Sequence, residues 1–71
     1  MEIRIVMYSL DKNGYILDRL DTGELLVVDD WEQATFFSNY EDAEDYLKIN
    51  QKRIVETLES RVWFTRRVYI L

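Results

Sequence analysis

Three mainly apolar runs, separated by polar stretches, occupy the first thirty residues. The runs cover residues 2–10, 15–20 and 25–29, and each is rich in Ile, Leu, Val or Tyr. An Asn-Gly pair separates the first two runs, and a polar stretch with the second glycine separates the next two. Tight turns of this kind join antiparallel neighbours. The pattern therefore predicts a three-stranded antiparallel meander.

The apolar spacing becomes helical after residue 38, and no Gly or Pro interrupts residues 39–60. Ser38 and Glu41 form an S-x-x-E capping box, in which each side chain can accept a hydrogen bond from the backbone N–H of the other residue. We predict one long helix that packs on the sheet. Its apolar face is formed by Ala43, Tyr46, Leu47, Ile54 and Leu58. Asn50 falls on that face, and the helix could end early there. The choice between helix and strand stays open for residues 50–58.

Residues 61–71 predict a last strand, because Val62, Phe64, Val68 and Ile70 recur at every second position, interrupted by Arg66. The predicted order is βββαβ, an α+β fold with one helix on a small sheet. Residues 1–71 contain no linker, repeat or low-complexity segment, so we expect one small domain. The order of the strands in the sheet stays open.

The composition argues against several classes of function. The 71 residues include no cysteine and no histidine, which removes thiolate zinc ligands and the commonest general base. Asp29, Asp30 and Glu32 lack the spacing of a calcium loop, and neither glycine belongs to a phosphate-binding loop. We expect no enzyme, no catalytic, metal or cofactor residues, and no membrane span. The absence of a signal peptide favours the cytoplasm.

Charge is distributed unevenly along the chain, whose net charge is −5. Residues 18–45 hold ten acidic residues and one basic residue, whereas residues 46–71 hold six basic and two acidic residues. The asymmetry has three readings: an ordinary solvated surface, an acidic surface for a basic partner, or self-association of acidic on basic surface. We predict that Trp31 anchors a protein partner. An acidic rim would supply charge complementarity, and it consists of Asp29, Asp30, Glu32, Glu41, Asp42, Glu44 and Asp45.

The last predicted strand mixes basic and aromatic residues, and this mixture supports two further hypotheses. A homo-oligomer could assemble through the strand, with Trp63, Arg66, Arg67 and Tyr69 in the contact. Alternatively, these residues could stack on single-stranded nucleic acid. The overall acidity disfavours direct nucleic-acid binding, because affinity for nucleic acid comes from neutralising phosphates.

Between residues 15 and 47 the chain resembles small accessory proteins encoded by phages and prophages of Gram-positive bacteria. The matching residues are Ala34 and Phe37 at a strand end, followed by Tyr40-Glu41-Asp42-Ala43 and Tyr46-Leu47 in the capped helix. The resemblance implies a mobile-element protein in the cytoplasm of a host bacterium. Many such acidic proteins bind and disable a host defence enzyme, including nucleic-acid-binding nucleases of CRISPR systems. The leading expectation is therefore a non-enzymatic inhibitor that occludes a host protein.

Overall fold

The computed structural model describes all 71 residues as an α+β domain with one open antiparallel sheet. Five strands form the sheet, two helices cover one of its faces, and a 3₁₀ turn lies against the other. The elements in chain order are β1 (Glu2–Ser9), β2 (Gly14–Asp18), β3 (Leu25–Val28), the 3₁₀ turn (Trp31–Gln33), β4 (Phe36–Phe37), α1 (Tyr40–Ile49), α2 (Gln51–Leu58) and β5 (Phe64–Ile70).

Strand β1 is the centre of the sheet. Strand β5 pairs with residues 2–8 of β1, so β2 and β4 share its other edge. Strand β2 continues to β3. Thr35, which precedes β4, makes two hydrogen bonds with β2. Its N–H donates to the Ile16 carbonyl at 3.0 Å, and its Oγ1 accepts from the Asp18 N–H at 2.8 Å. Strands β3, β4 and β5 each pair with one neighbouring strand only.

The two faces of the sheet bury different clusters. Met7, Ile16 and Leu25 pack against Ile54 and Leu58 of α2, with Phe37, Tyr46, Leu47 and Trp63 at the margin. On the other face, a smaller cluster of Val6, Tyr15 and Ala34 lies beneath Trp31. Because the side chains of a strand alternate between faces, the apolar residues on both parities of β1 serve both clusters.

The single long helix of the sequence prediction is not confirmed, because the helix breaks at Asn50, where an early end was possible. The Asn50 side chain donates to the Tyr46 carbonyl at 3.0 Å, and the Asn50 N–H donates to the same oxygen at 2.9 Å. A side chain that bonds the backbone in this way competes with the helical hydrogen-bond ladder. Residues 51–58 nevertheless form a helix, which settles the choice between helix and strand. The additional strand β4 also departs from the βββαβ order.

The predicted ends of the elements shift by a few residues. Asn39, not Ser38, caps α1: its Oδ1 accepts from the Asp42 N–H at 2.8 Å, and its Nδ2 donates to the Asp42 carboxylate at 3.2 Å. Helix α2 stops at Leu58 because Glu59 adopts a left-handed conformation with φ of 55°. The last strand starts at Phe64, after a connection that includes Ser60.

Candidate binding surface

The sheet face opposite the helices carries aromatic rings in a row across three strands. Tyr15 of β2, Tyr8 of β1 and Phe64 of β5 occupy neighbouring positions in the register. Their ring centroids are 5.0 Å apart for Tyr8 and Tyr15, and 6.0 Å apart for Tyr8 and Phe64. Cross-strand aromatic pairs stabilise a sheet face. Tyr15 is buried, whereas Phe64 keeps 41% of its surface exposed.

Two arginines lie over rings of the same face. The guanidinium carbon of Arg4 is 4.0 Å from the centroid of Phe36, and that of Arg66 is 5.1 Å from the centroid of Tyr8. Phe36 is 45% exposed, so its ring is only partly covered. We call this part of the sheet the open patch; it consists of Arg4, Tyr8, Phe36, Phe64, Arg66 and Val68.

Trp31 borders the open patch in the 3₁₀ turn. Its side chain packs on the Val6, Tyr15 and Ala34 cluster, which Tyr8 and Val68 also contact, and it remains half-buried. Asp30 caps the turn, because its Oδ1 accepts from the Glu32 N–H at 2.9 Å. Asp29, Asp30 and Glu32 are all exposed. The turn therefore holds an aromatic side chain among three carboxylates, and we call these carboxylates the turn acids.

The acidic residues predicted to form one rim divide between the two layers. The turn acids lie next to Trp31 in the chain, and Trp31 packs on the open side of the sheet. Glu41, Asp42, Glu44 and Asp45 lie on α1, which packs against the opposite face through Tyr46 and Leu47. Glu41 and Asp42 occupy the first turn of α1, where the positive end of the helix dipole stabilises carboxylates. The helix dipole therefore accounts for Glu41 and Asp42 without a partner, whereas Glu44 and Asp45 lie beyond that first turn.

The four residues predicted for self-association do not lie on one surface. Trp63 packs on the main core, and its Nε1–H donates to the Ser60 carbonyl at 3.0 Å, so it is not part of the free edge. Arg66 belongs to the open patch. Arg67 and Tyr69 lie on the helix side of β5, where the Arg67 guanidinium carbon is 5.4 Å from the Tyr69 ring centroid.

A polar cluster that the sequence did not reveal lies between β2 and the helices. The Asp18 carboxylate accepts from Tyr46 Oη at 2.5 Å and from both terminal nitrogens of Arg53, at 2.9 and 3.2 Å. The hydrogen bonds from Arg53 hold the pKa of Asp18 below its usual value, against the opposing effect of burial. Burial, followed by the bond to Asp18, raises the pKa of the Tyr46 phenol. The sequence offered one sign of this cluster, which is a carboxylate, Asp18, at the end of an otherwise apolar strand.

A second polar cluster joins the end of β1 to the connection after α2. The hydroxyls of Ser9 and Ser60 are buried and 3.2 Å apart, and Ser60 also donates to Asp11 at 2.9 Å. The chain has no histidine, which is the usual activating base of a serine nucleophile. These contacts fix the loop that precedes β5.

Comparisons with known proteins give no relatives. No family model, curated protein or solved structure matches the chain. Neither helix is both long and apolar enough to cross a membrane. No group of three or more acidic side chains is arranged to hold a metal ion.

Proposed function

We propose that the protein is a non-enzymatic binding module whose contact surface is the open patch, with Trp31 and the turn acids at its border. The observation that carries the proposal is the partial exposure of Phe36 and Phe64, at 45% and 41%, on a sheet face that no helix covers. Aromatic residues and arginine dominate the binding energy of protein interfaces. Exposed apolar residues that cluster within a polar border are typical of an interaction site.

Charge favours a protein as the partner over a nucleic acid. Arg4 is already paired with Glu2, whose carboxylate lies 2.6 Å from Arg4 Nε, so Arg66 is the one cation of the patch without a carboxylate within 4.0 Å. The turn acids beside the patch would repel a phosphate backbone. A protein partner can instead place acidic groups near Arg66 and basic groups near the turn acids, which would speed its association.

The biological role we propose is occlusion of a host protein by a phage-encoded inhibitor, in the host cytoplasm. This proposal extends the resemblance to phage and prophage accessory proteins. Asp29, Asp30 and Glu32 would attract the basic surface of a target, such as a nucleic-acid-binding defence enzyme. Trp31 and the rings of the open patch would then slow dissociation, since buried aromatic contacts act mainly on the off-rate.

The test is a pull-down from bacterial lysate at low and high salt with tagged protein and matched variants, read by mass spectrometry. Phe36→Ser with Phe64→Ser alters the open patch. Tyr69→Ser is the control, because Tyr69 is 48% exposed on the same strand but faces the helix side. We expect one stoichiometric partner that the double variant loses and Tyr69→Ser retains. Equal capture by all three proteins would exclude the open patch as the contact.

A second pair of variants tests the role of the acids. Asp29→Lys with Glu32→Lys and Glu44→Lys with Asp45→Lys change the net charge by the same amount on opposite sides of the sheet. We expect the first pair to slow association at low salt and to have less effect at high salt, because screening weakens exposed charges. The second pair should leave association near that of the wild type. The opposite result would transfer the contact to α1.

The free edge of β5 supports a second candidate, a structural or regulatory homo-oligomer. None of the hydrogen bonds outside the sheet ladder uses the backbone of residues 64–70, so the outer edge of this seven-residue strand is unpaired. A two-fold axis at Val68 would place Arg67 opposite the partner's Tyr69. Arginines on an edge strand also protect it from pairing, which argues the other way. Light scattering over a concentration series measures the molar mass and tests this candidate. A molar mass that stays at the monomer value throughout would exclude a homo-oligomer.

A further inference from the structure

A groove on the helix side of the sheet forms a site separate from the open patch. It has a volume of about 300 Å³ and is lined by Leu47, Lys48, Gln51, Ile54, Val55, Arg61 and Trp63. This volume is near the lower end of the range for small-molecule sites, roughly 300–1,000 Å³. The groove is therefore large enough for a small organic molecule but too small to hold a long chain.

The groove lies beside the break at Asn50, between α1, α2 and the connection from α2 to β5. Leu47 and Lys48 come from the last turn of α1, and Ile54 comes from α2 after the break. The connection from α2 to β5 returns along the other side and contributes Arg61 and Trp63. Because the Trp63 N–H is already bonded to the Ser60 carbonyl, the indole offers only its apolar surface to the groove.

The charged lining of the groove is entirely basic. Lys48 and Arg61 line it, Lys52 borders the adjoining cavity, and no carboxylate lines the groove itself. Glu56 borders the adjoining cavity as well, yet none of these three cations has a carboxylate oxygen within 4.0 Å. In a chain of net charge −5, this combination of two free cations and an apolar floor is complementary to an apolar anion.

We propose that the groove binds a small amphipathic monocarboxylate, an aliphatic or aromatic acid. The apolar part lies against Ile54, Val55 and Trp63, and the carboxylate lies between Lys48 and Arg61. Hydrogen bonds between a guanidinium or ammonium group and a carboxylate are stronger than neutral ones, so they distinguish the acid from its uncharged analogue. The proposal does not depend on the open patch, which lies on the other face of the sheet.

The experiment is a nitrogen-15 NMR titration of the full chain with 3-phenylpropanoate and, separately, with 3-phenylpropanamide. The protein has two tryptophans, so Trp63 gives one indole N–H signal at the groove and Trp31 gives the other on the opposite face as an internal control. We expect the acid to shift the Trp63 signal in a saturable way, with little change at Trp31. The amide should bind at least about tenfold more weakly.

Matched variants identify the cations. Lys48→Gln with Arg61→Gln should weaken binding of the acid to the level of the amide. Lys12→Gln with Arg19→Gln changes the net charge equally at two residues that line neither the groove nor the adjoining cavity, and it should leave binding within about twofold of the wild type. The proposal fails if acid and amide bind equally, if Trp31 shifts as much as Trp63, or if both double variants lose the same affinity. None of these results bears on the protein partner, which the pull-down tests.

Discussion

The hydrogen bonds to Asp18 lead to a sharp prediction about stability. Only 8% of the Asp18 side chain is exposed, and its carboxylate accepts from Tyr46 and twice from Arg53. A hydrogen bond to a charged group contributes about 1.5–3 kcal/mol, and such contributions are not additive within one cluster. Arg53 is 39% exposed, so water can replace part of its interaction. We therefore expect Asp18→Asn to lower the free energy of unfolding by about 2 kcal/mol.

Urea denaturation at neutral pH measures the effect, and Asp21→Asn is the control. Asp21 pairs with Arg19 at 3.3 Å, but its side chain is 69% exposed. An exposed pair contributes about 0–1 kcal/mol, so this control should change stability little. Tyr46→Phe should cost less than Asp18→Asn, since the carboxylate keeps its bonds to Arg53. Equal effects of Asp18→Asn and Asp21→Asn would refute the reasoning.

The same cluster predicts a dependence on pH. The pKa of Asp18 is lower in the folded protein than in the unfolded chain, so the folded state favours the charged form. The stabilisation is fully present above the unfolded value of about 3.9 and is lost as the pH falls through the folded value. The difference between wild type and Asp18→Asn should therefore shrink in acid. A difference that stays constant from neutral pH to strong acid would show that the carboxylate charge contributes nothing.

Three further predictions concern the backbone and one loop. Gly14→Ala should destabilise the protein, because a Cβ at this position would lie 2.6 Å from Val27 Cγ1; thermal unfolding measures the loss. Glu59→Gly should raise the free energy of unfolding, measured by urea denaturation, by about 0.5–1 kcal/mol, since glycine adopts the positive φ without strain. The control Glu56→Gly, within α2, should lower it by a similar amount. Ser60→Ala should cost about 1–3 kcal/mol in the same assay, because it leaves the buried Ser9 hydroxyl without its partner.

Local patterns in the sequence predicted a large part of the fold. The apolar run of residues 2–10 and the Asn-Gly turn after it correspond to β1 and its turn into β2, and the two strands pair antiparallel at Tyr8 and Tyr15. The start of α1 was predicted within one residue, because both Ser38 and Asn39 are good caps and only the structure shows which one bonds to the helix. Strands, turns and helix caps are determined mainly by residues that are close together in the chain. A pattern of apolar and polar residues along the sequence can therefore predict them.

The Asp18 cluster was not predictable in the same way. Its hydrogen-bond partners Tyr46 and Arg53 are 28 and 35 residues away along the chain. Their meeting depends on the packing of the helices over β2 and on the break at Asn50, which sets the direction of α2. A charged residue at an inward position of a strand signals that a partner exists, but it does not identify the partner.

The candidate binding surface depends on the register of three strands. Tyr8, Tyr15 and Phe64 become neighbours only when β2 and β5 pair with β1 at one particular offset, and a shift of one residue would move Phe64 to the helix side. The structure also divides the acidic residues that the sequence joins into one rim. The dipole of α1 accounts for Glu41 and Asp42 of that helix, whereas the turn acids are neighbours of Trp31 in the chain. A charge count along the chain cannot separate these two roles. Charge reversal at the turn and on α1 separates them, because the contact surface that we propose includes the turn acids and excludes α1.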